Sequence, residues 1–186
     1  MSQLYRISLK ETVRRHIQIK DGIQTTLKLL PILAPEHLAD LLAQALLSRG
    51  FEREGQQLKQ VDEHDIQICI DVESGVVTIS RHYEEEVTLS QEQDVVIDDD
   101  IRGSRQRAQK AFKSALEKHL NHKEQALTTK ITQMLEQKWV DIQQTLDDVV
   151  QQATAEALKL RASQLGEIID VDENAETGEM VIRVKV

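Results

Sequence analysis

From Ser104 to Leu165 the chain holds neither glycine nor proline, and Ala, Gln, Lys, Glu and Leu dominate it. These are strong helix formers, so the spacing predicts one long helix or a helical hairpin. Ser104 suits its N-cap and Gly166 its terminator. The apolar residues Leu127, Ile131, Leu135, Trp139, Ile142, Leu146, Val149, Ala153, Ala157 and Leu160 recur in nine steps over 33 residues, about 3.67 per step. That period fits an almost straight helix better than a heptad supercoil. A straight helix of this length would extend roughly 90 Å at 1.5 Å per residue. On this reading a front part of about 90 residues cannot cover such a stripe.

The front part reads as strands with one short helix. Between Leu4 and Gly22 apolar and polar residues alternate, which predicts two strands separated near Lys10–Thr12 and stopped at Asp21–Gly22. Leu27–Leu33 carries Pro31, which cannot donate a ladder hydrogen bond, and is expected to be a connection or an edge piece. Pro35 then opens a helix with Leu38, Leu41, Leu42, Ala45 and Leu46 on one face, closed by Arg49–Gly50. Ile66, Ile68, Ile70 and Val72 point one way and Gln67, Cys69 and Asp71 the other. Glu73-Ser74-Gly75 turns the chain into Val76–Ser80 as a hairpin partner, and Glu85–Ser90 makes one more strand. Behind the long helix, Ile168–Val171 and Met180–Val186 form a lone hairpin about a polar turn.

The expected class is therefore α+β: a small antiparallel sheet with one short helix, then a long helix or helical hairpin, then a C-terminal β-hairpin. The segments are 1–100, 101–165 and 166–186. A two-stranded hairpin alone is marginal in water. Either the helix folds back near Asn121–Thr129 to bring the hairpin to its own sheet, or it stays straight and an antiparallel dimer covers both stripe and hairpin. The balance tilts toward the dimer.

Charge is uneven. The net is −9, but residues 52–100 hold fifteen acidic and three basic side chains, and residues 101–165 hold eleven basic and seven acidic. Arg102, Arg105, Arg107, Lys110 and Lys113 form the most directed charge feature. Arg107, Lys110 and Lys113 fall within an arc of about 120° opposite Ala108, Phe112 and Ala115. This basic helix start is the expected binding surface. It suits the acidic stretch 84–100, in the same chain or a partner, better than a phosphate backbone, because the protein is acidic overall and no aromatic platform stands beside it.

Catalytic signatures are absent. The glycines at 22, 50, 55, 75, 103, 166 and 178 match neither G-x-G-x-x-G nor the P-loop. Cys69 sits in a strand without a base nearby in sequence and reads as a packed strand residue. His119 and His122 share a helix face with Glu117 and Glu124, yet no further ligand has recognisable spacing, so they read as polar surface residues. His64 and His82 lie in acidic surroundings, and Asp98–Asp100 reads as a soluble linker. No metal, cofactor or enzymatic activity is expected. No run of about 18 apolar residues exists, no secretion signal opens the chain, and the single cysteine suits a cytoplasmic protein.

The start LYRISLKE, with LKLLPILAPEHLADLL, and the end LRASQLGEIIDVDENAETGEMVIRV are similar to small accessory proteins encoded beside AAA+ ATPases, FtsH-like or MoxR-like, in bacterial conflict systems. The resemblance implies a non-catalytic component acting with an ATPase and carries over no functional residues. Together with the residue pattern it leads to an expected protein-interaction or assembly factor. The alternative is a nucleic-acid-binding accessory factor using the basic helix start.

Overall fold

The structure, a computed structural model, describes residues 5–97, 101–174 and 179–185. Its elements run β1 (Tyr5–Thr26), α1 (Pro35–Leu47), β2 (Glu52–Glu54), β3 (Gln57–Val61), β4 (Ile66–Asp71), β5 (Val76–Ile97), α2 (Ile101–Leu165), β6 (Glu167–Asn174) and β7 (Glu179–Lys185). Strands β1 to β5 form one sheet in the order β1-β5-β4-β3-β2, while β6 and β7 form a sheet of their own. The α+β class stands as expected, with a short helix, a long helix and a terminal hairpin.

Two strands are far longer than the alternation suggests. β1 is one strand of 22 residues, not two, and β5 runs 22 residues where two separate strands were expected. The apparent breaks come from polar residues at inward positions. Glu11 and Arg15 fall in register with buried Leu9, Ile17 and Ile19, and both find partners on α2. Gln109 donates to the Glu11 carboxylate; Arg15 donates to Asn121 and, at 3.2 Å, to Glu124. Beyond Asp21, β1 continues because Gly22 lies close over its neighbour. A Cβ there would stand 3.0 Å from the Ile79 carbonyl oxygen. Strands β2 and β3, unforeseen, extend the sheet, with Leu58 opposite Ile70 and Gln60 opposite Ile68.

α2 runs unbroken through Asn121–Thr129. It begins at Ile101, so Ser104 lies inside the first turns and not at the N-cap, and there accepts a bond from Arg107 Nη2 at 3.1 Å.

The chain forms two compact units. The first comprises residues 1–20 and 82–132. Here the β1–β5 ribbon packs on the first half of α2, with Leu9, Phe112 and Leu116 at the centre and Ile7, Val13, Val95 and Ala108 around them. The second comprises residues 21–81 and 133–186. Its buried set is drawn from α1 (Leu38, Leu42, Leu46), β4 (Ile66, Ile68, Ile70), β5 (Val77, Ile79) and α2 (Leu135, Ile142, Leu146, Val149, Ala153, Ala157). The helix stripe is thus covered inside each unit, correcting the expectation that the front part is too small. Leu160, placed in the stripe by its spacing, is 43% exposed.

The hairpin joins α2 directly. Gly166 N–H bonds the Ala162 carbonyl at 3.2 Å, and β7 passes so near that a Cβ at 166 would lie 2.2 Å from the Lys185 carbonyl oxygen. Met180 of β7 borders a groove with Leu30, Val150, Thr154 and Leu158. The hairpin neither joins the larger sheet nor needs a bend in the helix.

Candidate functional site

The basic helix start is presented to solvent. Arg102, Arg105, Arg107, Lys110 and Lys113 are all exposed, while Phe112 and Leu116 on the opposite side are buried. The 100° step of the helix puts them there: residues 108, 112 and 116 form one inward column, and the cations fill the remaining arc. Among the described residues Arg102, Arg105, Lys110 and Lys113 take part in no ion pair. The expected pairing with the acidic stretch is therefore not made by residues 84–97. There Glu85 meets Lys123 at 3.7 Å and Glu84 meets His16 at 2.7 Å; Asp98–Asp100 lie outside the described residues. Among the described residues, Arg102, Arg105, Lys110 and Lys113 thus face solvent with no carboxylate paired to them. Phe112, the aromatic residue within this stretch of α2, is turned into the core.

A second charged surface was not foreseen. Successive residues of the ribbon alternate between α2 and solvent, and on β1 the exposed positions include Arg6, Lys10, Arg14 and Lys20. The same face of β5 carries Glu84, Glu86, Glu92 and Asp94, all exposed. Side-chain bonds cross between the two strands on this face: Ser8 Oγ to Glu92 at 2.7 Å, Thr12 with Ser90 at 3.0 Å, and Gln18 with His82 at 3.2 Å. A basic column and an acidic column thus stand side by side.

Asp62 ends β3 and organises the turn into β4. Its Oδ1 accepts the N–H groups of His64 and Ile66, each at 2.9 Å, and its Oδ2 meets Lys138 of α2 at 3.0 Å. Burial alone would raise its pKa, but the Ile66 N–H, the Lys138 ammonium and the His64 N–H outweigh that and hold the carboxyl below its ordinary value. An open cleft of about 590 Å³ borders this turn, lined by Asp62, His64, Ile66, Met134, Lys138 and Asp141 among others. Next to Ile66 in the ladder stands Arg81, whose guanidinium reaches the Met134 sulfur at 3.1 Å while its buried Nε has no acceptor.

Cys69 is half-buried and donates to Gln57 Oε1 at 3.2 Å. Burial pushes its thiol pKa up, and Asp71 and Glu54 push the same way, outweighing the opposite pull of Lys59. It is therefore protonated near neutrality, as a packed strand residue should be. His119 and His122 are exposed on α2, and among the described residues no three metal-ligating side chains gather.

Compared with known proteins, the chain matches one family model, described as FtsH ternary system domain X5, over residues 1–186. No curated protein and no solved structure matches it.

Proposed function

The chain belongs to the FtsH ternary system domain X5 family, and from that membership we propose that it is a non-enzymatic docking or assembly factor for the AAA+ ATPase of such a system, working in the cytoplasm. It is an accessory component of an FtsH-associated system, and a ternary system implies protein partners. Among the described residues no helix is long and apolar enough to cross a membrane.

One observation carries the reading. The α2 start holds Arg102, Arg105, Lys110 and Lys113 exposed on a rigid helix whose other side is anchored by Phe112 and Leu116, with no internal carboxylate taking up their charge among the described residues. Charges fixed on a rigid element, facing water, steer and orient an acidic partner surface. They hold little of the chain's own stability, so substituting them leaves the fold intact.

The test is binding of the purified ATPase component to the full chain and to the double variant Lys110→Glu/Lys113→Glu. The variant is expected to bind about tenfold more weakly, with an unchanged thermal midpoint. Equal affinity would remove the assignment. The same face would also accept a phosphate backbone, the second reading. Affinity for DNA or RNA that falls steeply with salt, while the ATPase is ignored, would favour it. The inward turn of Phe112 leaves a single strand without that ring to stack on, which supports reading a protein partner first.

A further inference from the structure

Among the described residues β1 is the terminal strand of the sheet, and its only ladder neighbour is β5. Among the described residues, no backbone group from 6 to 20 bonds to backbone outside that ladder. This leaves an open strand edge about 50 Å long at 3.4 Å per residue. An unpaired edge of this kind is a template for another strand, and natural proteins usually keep it short, bulged or covered. Here it is long, and what distinguishes it is charge. Arg6, Lys10, Arg14 and Lys20 project from the exposed face of β1, and none of them takes part in an ion pair among the described residues. On one side they neighbour the acidic column Glu84, Glu86, Glu92 and Asp94 of β5. On the other side no strand of the described residues lies.

We propose that the free edge of β1, from Arg6 to Lys20, takes up an extended acidic segment of a partner protein as an added strand, one that carries Asp or Glu at alternate positions. The inference rests on the reading of the chain as an interaction factor and names the chemistry of what it grips. Backbone N–H and C=O groups supply the ladder, and the basic column selects the sequence, since directly opposed unlike charges stabilise a cross-strand pair and like charges destabilise it. The partner's acidic residues would stand to β1 as the β5 carboxylates already do on its other side. A second copy of this chain is disfavoured at the same edge, because pairing β1 with β1 sets one basic column against another in either direction. The same cations that guard the edge against self-association therefore choose its occupant.

The experiment uses the full chain and a labelled peptide of about 14 residues in which Glu alternates with Val and Thr, the length of the open edge. Saturable binding by fluorescence anisotropy is expected, with amide hydrogen exchange slowed in residues 6–20. Two further peptides carry N-methyl groups on every second amide, in the two possible phases. One phase is expected to abolish binding and the other to spare it, because only alternate amides of an added strand face its neighbour. Lys10→Glu with Arg14→Glu is expected to weaken binding of the Glu peptide about tenfold and to create binding of the matching Lys peptide.

Equal binding by both methylated peptides would overturn the proposal in favour of charge alone, as would protection elsewhere on the chain. So would single-stranded DNA of equal charge protecting β1 as well as the peptide does. If the charge-reversed protein failed to fold by circular dichroism, the two methylated peptides would decide the matter on the unaltered chain. A chain that binds the ATPase component yet ignores the acidic peptide would refute the edge while leaving the docking function standing. A chain that binds the peptide but no ATPase would do the reverse.

Discussion

Asp62 gathers three donors onto one carboxylate, two backbone N–H groups and the Lys138 ammonium. The side chains of Asp62 and Lys138 are 15% and 26% exposed, so water only partly screens the pair. Because the folded pKa lies below the ordinary 3.8, the stabilisation is present above that value and is lost as pH falls through the folded one. Asp62→Asn keeps an acceptor for the turn but removes the charge facing Lys138. It is expected to lower stability by about 1 kcal/mol near pH 7, with the gap to the parent shrinking as pH falls below the ordinary carboxyl value, which urea midpoints at a neutral and an acidic pH would check. A constant gap at both pH values would mean that the turn bonds, not the ion pair, carry the effect. Nothing in Asp62-Glu63-His64-Asp65 read as sequence announces this, since its partner Lys138 lies on a helix 76 residues further along.

At the level of elements, periodicity located α1, α2 and β4 because in each the apolar residues mark the buried side, and the terminal hairpin was located by two apolar runs about a polar turn. β1 and β5 were legible only in pieces. Their inward columns include Glu11, Arg15, Arg81 and Glu85, which look like solvent positions until α2 is seen to supply Gln109, Asn121, Glu124, Met134 and Lys123. A pattern of apolar residues cannot report a strand whose inner face is closed partly by polar pairs. The basic arc of α2 was readable, because 100° steps fix which side chains oppose Phe112. The open edge of β1 was not, since strand order is a property of the sheet and not of any one strand. The same distinction gives a test of the stripe. Leu146, 2% exposed, is expected to cost about 3 kcal/mol when changed to alanine, whereas Leu160→Ala is expected to cost under about 1 kcal/mol by chemical denaturation. Equal costs would mean that the stripe continues to Leu160.

For the molecule as a whole, covering the stripe internally removes the reason for expecting an antiparallel dimer. Light scattering on a sizing column is expected to give the mass of one chain, 21.2 kDa, across a concentration series. A stable dimer would turn attention to the apolar residues left exposed at the end of α2 and in the hairpin, Leu165 at 60% and Ile169 at 65%. The long ribbon has a further consequence, in time instead of space. Its side-chain partners are separated by 64 residues for Gln18 and His82 and by 84 for Ser8 and Glu92. A ribosome adding about 5 to 20 residues per second would therefore make β1 wait roughly 3 to 17 s for the strand that completes it. Long-range pairing of this kind is also slow once the chain is free. During that interval β1 has no partner on either edge, and the like charges of Arg6, Lys10, Arg14 and Lys20 disfavour pairing between nascent copies before β5 arrives.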